Sequence, residues 1–195
     1  MLRYKNLLIT VAFTLLLAAA GYSQTRSVSE LESAITGFES AGLFSAGYDD
    51  SKDATTIHLS FDVRSDDPKL QKEFKEFIID LTSIYTGIGI DSKPYRTLLC
   101  ANSRGKKFHF ASNRQLRVSL DGQEFTLAEG QRTTEVRGGK VTENLCWDVD
   151  QELIRDFGSA GKMTLTIGTI PIILREEKIR AFRDYSSLLI YDESE

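Results

Sequence analysis

The feature that most constrains the fold is a strict alternation of polar and apolar side chains over residues 56–63, within the segment 55–63. Ile57, Leu59, Phe61 and Val63 alternate with Thr56, His58, Ser60 and Asp62. Because successive side chains of a β-strand point to opposite faces, this period predicts a half-buried strand with one face on the core. Such a strand requires a second layer of structure to cover its apolar face.

Short strands and tight turns are predicted along most of the remaining chain. Asp121-Gly122 lies between two apolar runs and predicts a hairpin, since both turn positions need a positive φ. Gly138-Gly139 and Gly168 predict two more hairpins. The segments expected to form strands are 43–47, 55–63, 78–86, 95–101, 107–111, 115–120, 123–127, 132–137, a segment from 141 onward, 163–167 and 169–174.

Helical periodicity is confined to a few segments, in which apolar residues recur at three- and four-residue steps. Ser27 and Glu30 have the spacing of a capping box at the start of the first. The four expected helices cover residues 27–40, 67–77, 149–157 and 175–189. We therefore predict a strand-rich α+β fold with β-sandwich-like antiparallel sheets and a few short helices, including a C-terminal helix.

The N-terminus predicts export. Arg3 and Lys5 precede an apolar run at 7–20 that ends in small residues, which is the pattern of a secretory signal peptide. The run is shorter than the roughly 20 residues that span a bilayer. We expect residues 1–23 to be a signal peptide and residues 24–195 to be a single extracytoplasmic β-rich domain, periplasmic or extracellular, with no stable membrane insertion after cleavage. The alternatives are an uncleaved anchor and a buried first helix.

Two cysteines, Cys100 and Cys146, are present. An even number of cysteines in an oxidising compartment favours a disulfide. The neighbouring residues Leu99 and Trp147 suggest that both cysteines are buried at strand ends. The pair lacks the CxxC spacing of a redox or zinc site, so we predict a structural disulfide. Two buried free thiols, or a reactive thiol, are the alternatives.

Composition and motifs argue against several functions. The 24 basic and 28 acidic residues give a net charge of −4, which does not favour a nucleic-acid partner. Asp49 to Asp53 has the spacing of half a calcium loop but lacks its glycine and glutamate, so we expect a structural turn. His58 and His109 could converge on an outer face, but a metal site needs three or four ligands. No catalytic, metal or cofactor-binding residue, and no cofactor, is predicted.

A group of basic residues brackets the aromatic segment 107–111. Interleaved cations and aromatic rings can bind single-stranded nucleic acid or glycans. In an acidic exported protein we instead interpret these residues as charges that protect a solvated hairpin edge from aggregation. The residues are Arg104, Lys106, Lys107 and Arg114.

Three segments together resemble a loose group of small exported bacterial proteins of unknown function. They are Tyr48-Asp-Asp-Ser-Lys-Asp-Ala-Thr-Thr56, Leu120-Asp-Gly122 and Ile167-Gly-Thr-Ile-Pro-Ile-Ile-Leu174. The resemblance implies a bacterial envelope setting. We expect a non-enzymatic binding or interaction module whose partner is an envelope protein or a small ligand. The alternatives are a small-ligand or lipid carrier with an apolar cavity and a hydrolase that uses dispersed carboxylates.

Overall fold

The computed structural model describes residues 25–191. Within this range the chain forms ten strands and four α-helices, so the predicted strand-rich α+β class is confirmed. The predicted signal peptide, residues 1–23, lies outside the described residues. The strands are β1 (Phe44–Asp49), β2 (Ala54–Asp62), β3 (Phe74–Thr86), β4 (Arg96–Gly105), β5 (Gln115–Leu120), β6 (Gln123–Glu129), β7 (Gln131–Arg137), β8 (Lys140–Asp148), β9 (Met163–Ile167) and β10 (Ile170–Ile173). The helices are α1 (Val28–Thr36), α2 (Pro68–Glu73), α3 (Gln151–Ser159) and α4 (Glu176–Leu188).

The strands build two antiparallel sheets. The larger has the order β1-β2-β3-β4-β8-β7, and the smaller has the order β10-β9-β5-β6. The predicted alternation is confirmed in β2, where Ile57, Leu59 and Phe61 are buried. Phe182 of α4 packs edge-on against Phe61 with ring centroids 5.7 Å apart, so the C-terminal helix covers part of this face.

The smaller sheet packs on the same side of the larger sheet, towards β8. Trp147 on β8 donates a hydrogen bond from its indole nitrogen to the carbonyl of Arg114, which directly precedes β5 (3.0 Å). The buried side chains of both sheets and of α3 and α4 belong to one continuous apolar core. This two-layer arrangement is the sandwich-like packing that the sequence predicts.

Local turn and cap signals are confirmed. The Ser27 hydroxyl accepts from the Glu30 backbone N–H, and the Glu30 carboxylate accepts from the Ser27 backbone N–H. The β5–β6 turn has φ values of 49° at Asp121 and 94° at Gly122. The β7–β8 turn is closed by Gly138 and Gly139, which also have positive φ values.

The predicted helix over 67–77 is wrong in its second half. Helix α2 ends at Glu73, and β3 begins at Phe74. A β-bulge lies between Phe74 and Glu76, and it allows Phe74 and Phe77 to point into the core together. The bulge therefore gives a strand the three-residue apolar spacing that normally indicates a helix.

The predicted strand at 107–111 is also wrong, because this segment is an irregular loop. The backbone N–H groups of His109 and Phe110 donate to the Glu143 carboxylate at 2.6 and 3.2 Å. The Glu143 side chain is only 1% exposed. A buried carboxylate thus satisfies the backbone groups that a neighbouring strand would otherwise bind.

The predicted disulfide is confirmed, but its position differs from the prediction. Cys100 on β4 and Cys146 on β8 lie directly opposite each other and are bonded. They are half-buried on the outer face of the larger sheet. Leu99 and Trp147, one position along each strand, occupy the core face instead, because neighbouring side chains alternate between faces.

Candidate functional site

An open cleft of about 660 Å³ lies where α2 joins β3 and where β4 ends. We call it the lysine cleft, because five of its nine lining residues are lysines. Its lining residues are Lys69, Gln71, Lys72, Glu73, Phe74, Lys75, Gly105, Lys106 and Lys107.

The lysines are positioned by a short helix and a sheet edge. Asp67 caps α2 by accepting a hydrogen bond from the backbone N–H of Lys69 (2.7 Å), and Pro68 occupies the first turn. Leu70 is buried beneath the helix, while Lys69 and Lys72 are exposed. The amphipathic pattern of one short helix thus directs its cations towards solvent at the cleft.

The other wall is the end of β4. Phe74 and Gly105 lie opposite each other in the register of β3 and β4, and both are buried. A Cβ atom at Gly105 would lie 3.4 Å from the carbonyl oxygen of Glu73. The end of α2 therefore lies in van der Waals contact with the end of β4, and Lys106 and Lys107 follow directly after that strand.

The charge of the cleft is largely unneutralised. Glu73 is the one carboxylate among the lining residues, and it is bonded to Lys107 at 2.9 Å. The Lys107 ammonium holds the pKa of Glu73 below its usual range. Among residues 25–191, Lys69, Lys72, Lys75 and Lys106 form no ion pair.

A buried histidine lies behind this surface. The His109 side chain is 6% exposed, and its Nδ1 atom lies 3.5 Å from the Glu73 carboxylate. Its Nε2 atom lacks a hydrogen-bond partner in the described structure and lies beside Gly105. The ring packs against Phe74 at an interplanar angle of 40°, with centroids 4.2 Å apart. Burial lowers the pKa of His109 and so favours the neutral ring, while the Glu73 carboxylate partly opposes this shift.

The two histidines are unrelated, which is the preferred interpretation of the sequence, but only His58 lies at the surface. His58 lies on the outer face of the larger sheet, 3.1 Å from Asp80. Burial favours the neutral form of Asp80, but hydrogen bonds from His58 and Ser60 outweigh it and hold the pKa of Asp80 below its usual range. His109 is instead buried in the loop that the sequence predicted as a strand.

The turn with the calcium-like spacing is closed by its own side chains. Asp49 Oδ1 accepts from the backbone N–H and the hydroxyl of Ser51, at 3.0 and 2.6 Å. Asp49 also pairs with Lys52 at 3.1 Å. Asp53 accepts a hydrogen bond from the Tyr48 hydroxyl (2.8 Å). These carboxylates stabilise the turn directly.

The predicted basic group is divided among three places. Lys106 and Lys107 line the lysine cleft, Arg104 on β4 pairs with Glu76, and Arg114 pairs with Glu129 at the end of β6. Phe110 is completely buried and Phe108 is 48% exposed. Sequence reasoning missed Lys69, Lys72 and Lys75, because the cleft forms only when β3 pairs with β4. The repeated lysines around Leu70 were the available signal.

A second cleft, of about 680 Å³, contains a cation that is already fully bonded. The Lys178 side chain is 5% exposed, and its ammonium donates to Asp66 (2.7 Å), to the Asp62 carbonyl (2.6 Å) and to the Ser65 hydroxyl (3.2 Å). All three donors of this lysine are used inside the protein. The second cleft therefore presents a structural ion pair, in contrast to the lysine cleft.

Comparison with known proteins supplies no assignment. No model of a protein family matches the chain, and neither a curated protein nor a solved structure matches it. Within residues 25–191 no helix is long and apolar enough to cross a membrane. The same residues contain no group of three or more His, Cys, Asp and Glu side chains arranged to hold a metal ion.

Proposed function

We propose that the protein is an exported, non-enzymatic binding module of the bacterial envelope and that it holds an anionic ligand in the lysine cleft. One observation carries this proposal. Five lysines line one open cleft, and its single carboxylate is already paired with one of them.

The concentration of charge is unusual for this chain. The whole sequence has a net charge of −4, so its average surface repels anions. The lysine cleft reverses that sign locally, and a recess lined by one sign of charge attracts counter-ions and raises their local concentration. An anion is therefore the ligand that this site recognises best.

Binding fits these lysines better than covalent catalysis. A lysine that acts as a nucleophile or base is activated by desolvation or by a neighbouring cation. All five lysines of the cleft are exposed to solvent, so desolvation does not activate them. Exposed ammonium groups hold anions by charge and by hydrogen bonds.

Two features support the export part of the proposal. Residues 1–23 have the pattern of a signal peptide, and the Cys100–Cys146 disulfide suits an oxidising compartment. N-terminal sequencing of the protein recovered from the periplasm or medium is expected to begin near Gln24. A chain that retains Met1 in the membrane fraction would contradict export.

Calorimetric titration with tripolyphosphate tests the binding site. Lys72→Gln with Lys106→Gln removes two cleft charges and is expected to weaken binding roughly tenfold, at up to about 1 kcal/mol for each exposed contact. Lys52→Gln with Lys162→Gln removes the same charge elsewhere and is the matched control, with affinity expected within about twofold of the unmodified protein. Equal losses in both variants, or no binding by the unmodified protein, would overturn the proposal.

A further inference from the structure

We propose that the ligand is an extended linear polyanion, which leaves the lysine cleft and continues over neighbouring strand ends of the larger sheet. This inference rests on the proposed function, because it assumes that the lysine cleft binds an anion. The continuation is a row of four cations, which we call the cationic track. It consists of Lys75 on β3, Arg104 on β4, Lys140 on β8 and Arg137 on β7.

The strand register brings these cations together. Arg137 and Lys140 face each other directly across the β7–β8 hairpin. Arg104 lies opposite Thr142, and Lys140 is two residues from Thr142 on the same face of β8. The Lys75 ammonium and the Arg104 guanidinium lower the pKa of Lys140, whereas Glu76 raises it. Lys75 also lines the lysine cleft, so the cleft and the track form one continuous surface.

This arrangement works against the stability of the fold. Like charges that lie directly opposite on paired strands are destabilising. Arg104 is partly neutralised by Glu76 at 3.5 Å. Within residues 25–191, Lys75, Lys140 and Arg137 form no ion pair. An anion bound along the track would relieve the repulsion that the fold leaves in place.

The dimensions of the track favour a chain over a single anion. Neighbouring strands lie about 4.8 Å apart, so β3 to β7 covers roughly 14 Å of sheet in the order β3-β4-β8-β7. The cleft extends this surface further, beyond the end of β4. One phosphate or carboxylate group cannot contact both the cleft and Arg137, whereas a polymer with repeated charges can.

The type of cation also favours an extended polyanion. Lysine dominates the combined surface, and its ammonium is a mobile point charge without the fixed fork of arginine. Such groups respond to charge density more than to the shape of one ligand group. A repeating anionic polymer is the ligand class that matches this chemistry.

Binding of tripolyphosphate and of long-chain polyphosphate by the same variants tests the inference. Arg137→Gln with Lys140→Gln is expected to weaken long-chain binding roughly tenfold and to leave tripolyphosphate affinity within about twofold. Removal of these two cations should also make the binding constant for the long chain less dependent on salt. By analogy with single-stranded nucleic acid, the slope of the logarithm of the association constant against the logarithm of the salt concentration should become about 1.4 less steep. Lys72→Gln with Lys106→Gln should weaken both ligands.

The results separate this inference from the proposed function. We call the protein with Arg137→Gln and Lys140→Gln the track variant. If it binds long-chain polyphosphate as tightly as the unmodified protein does, the proposal of an extended ligand is wrong and the cleft proposal stands. If the unmodified protein does not bind tripolyphosphate, the cleft proposal fails, and the extended ligand, which rests on it, fails as well. Tighter binding of dextran sulfate than of polyphosphate would support the polyanion and identify sulfate as its charged group. The melting temperature of the track variant should be no lower than that of the unmodified protein, because removing the two positive charges relieves the repulsion between them.

Discussion

Removal of the disulfide should cost a large part of the stability of this fold. Cys100 and Cys146 are 46 residues apart in the sequence. The chain-entropy relation gives about 4 kcal/mol for a loop of that length. Both side chains are half-buried on the outer face, so truncation to alanine adds little loss of packing. We therefore expect the variant with Cys100→Ala and Cys146→Ala to lose about 4 kcal/mol of unfolding free energy and to keep its fold.

Urea unfolding followed by fluorescence measures this loss. The chain has a single tryptophan, Trp147, which is 3% exposed in the folded state and reports directly on β8. The m-value should rise in the variant, because an unfolded chain without the crosslink exposes more surface. The unmodified protein in the presence of reductant is the matched control, since it opens the same loop without a change of side chain.

Agreement between the alanine variant and the reduced protein is essential to this reasoning. A loss below about 1 kcal/mol in both would show that the crosslink does not restrict the unfolded chain as the relation assumes. A much larger loss in the alanine variant than in the reduced protein would show that packing of the two sulfur atoms, and not loop closure, provides the stability.

Two further predictions concern buried charge. Lys178→Ala leaves the Asp66 carboxylate, 1% exposed, with only the more exposed Arg175 at 3.4 Å as its cation. Urea unfolding should therefore show a loss near the lower end of the about 3–5 kcal/mol that breaking a buried pair costs. Recovery of part of this loss on adding Asp66→Asn is the control, and an unchanged midpoint would contradict the assignment. Burial lowers the pKa of His109 in the folded protein. Below pH ~6.5 the histidine is therefore protonated to a greater extent in the unfolded chain than in the folded chain. The free energy of unfolding consequently falls as the pH decreases. His109→Phe should flatten the fall between about pH 7 and 5, and an equally steep fall in this variant would assign it to other groups.

The sequence is most informative where a local pattern has a single physical reading. The alternation in β2 and the Asp121-Gly122 turn are of this kind, because each depends on backbone geometry within a few residues. The helix predicted over 67–77 is wrong because its pattern has two physical interpretations. A β-bulge at the start of β3 gives Phe74 and Phe77 the spacing of a helix, and a bulge has no distinct local signal.

The candidate site could not be predicted from local sequence patterns, because segments that are far apart in the sequence form it. Lys72 and Lys106 line the same cleft only after β3 has paired with β4. The conformation of the loop after β4 depends on Glu143, which binds the backbone of His109 and Phe110 from β8. Long-range pairing therefore decides which of the many lysines share a surface. The disulfide, by contrast, could be predicted from the cysteine count and the expected compartment alone.

The most direct test of the central claim is to map anion binding on the protein residue by residue. Titration of isotope-labelled protein with tripolyphosphate, followed in amide ¹H–¹⁵N spectra, reports which backbone groups sense the ligand. The lysine cleft predicts saturable shifts concentrated at residues 69–75 and 105–107, with the second cleft around Lys178 unaffected. Shifts centred on Lys178, or shifts spread evenly over all exposed lysines, would contradict the account.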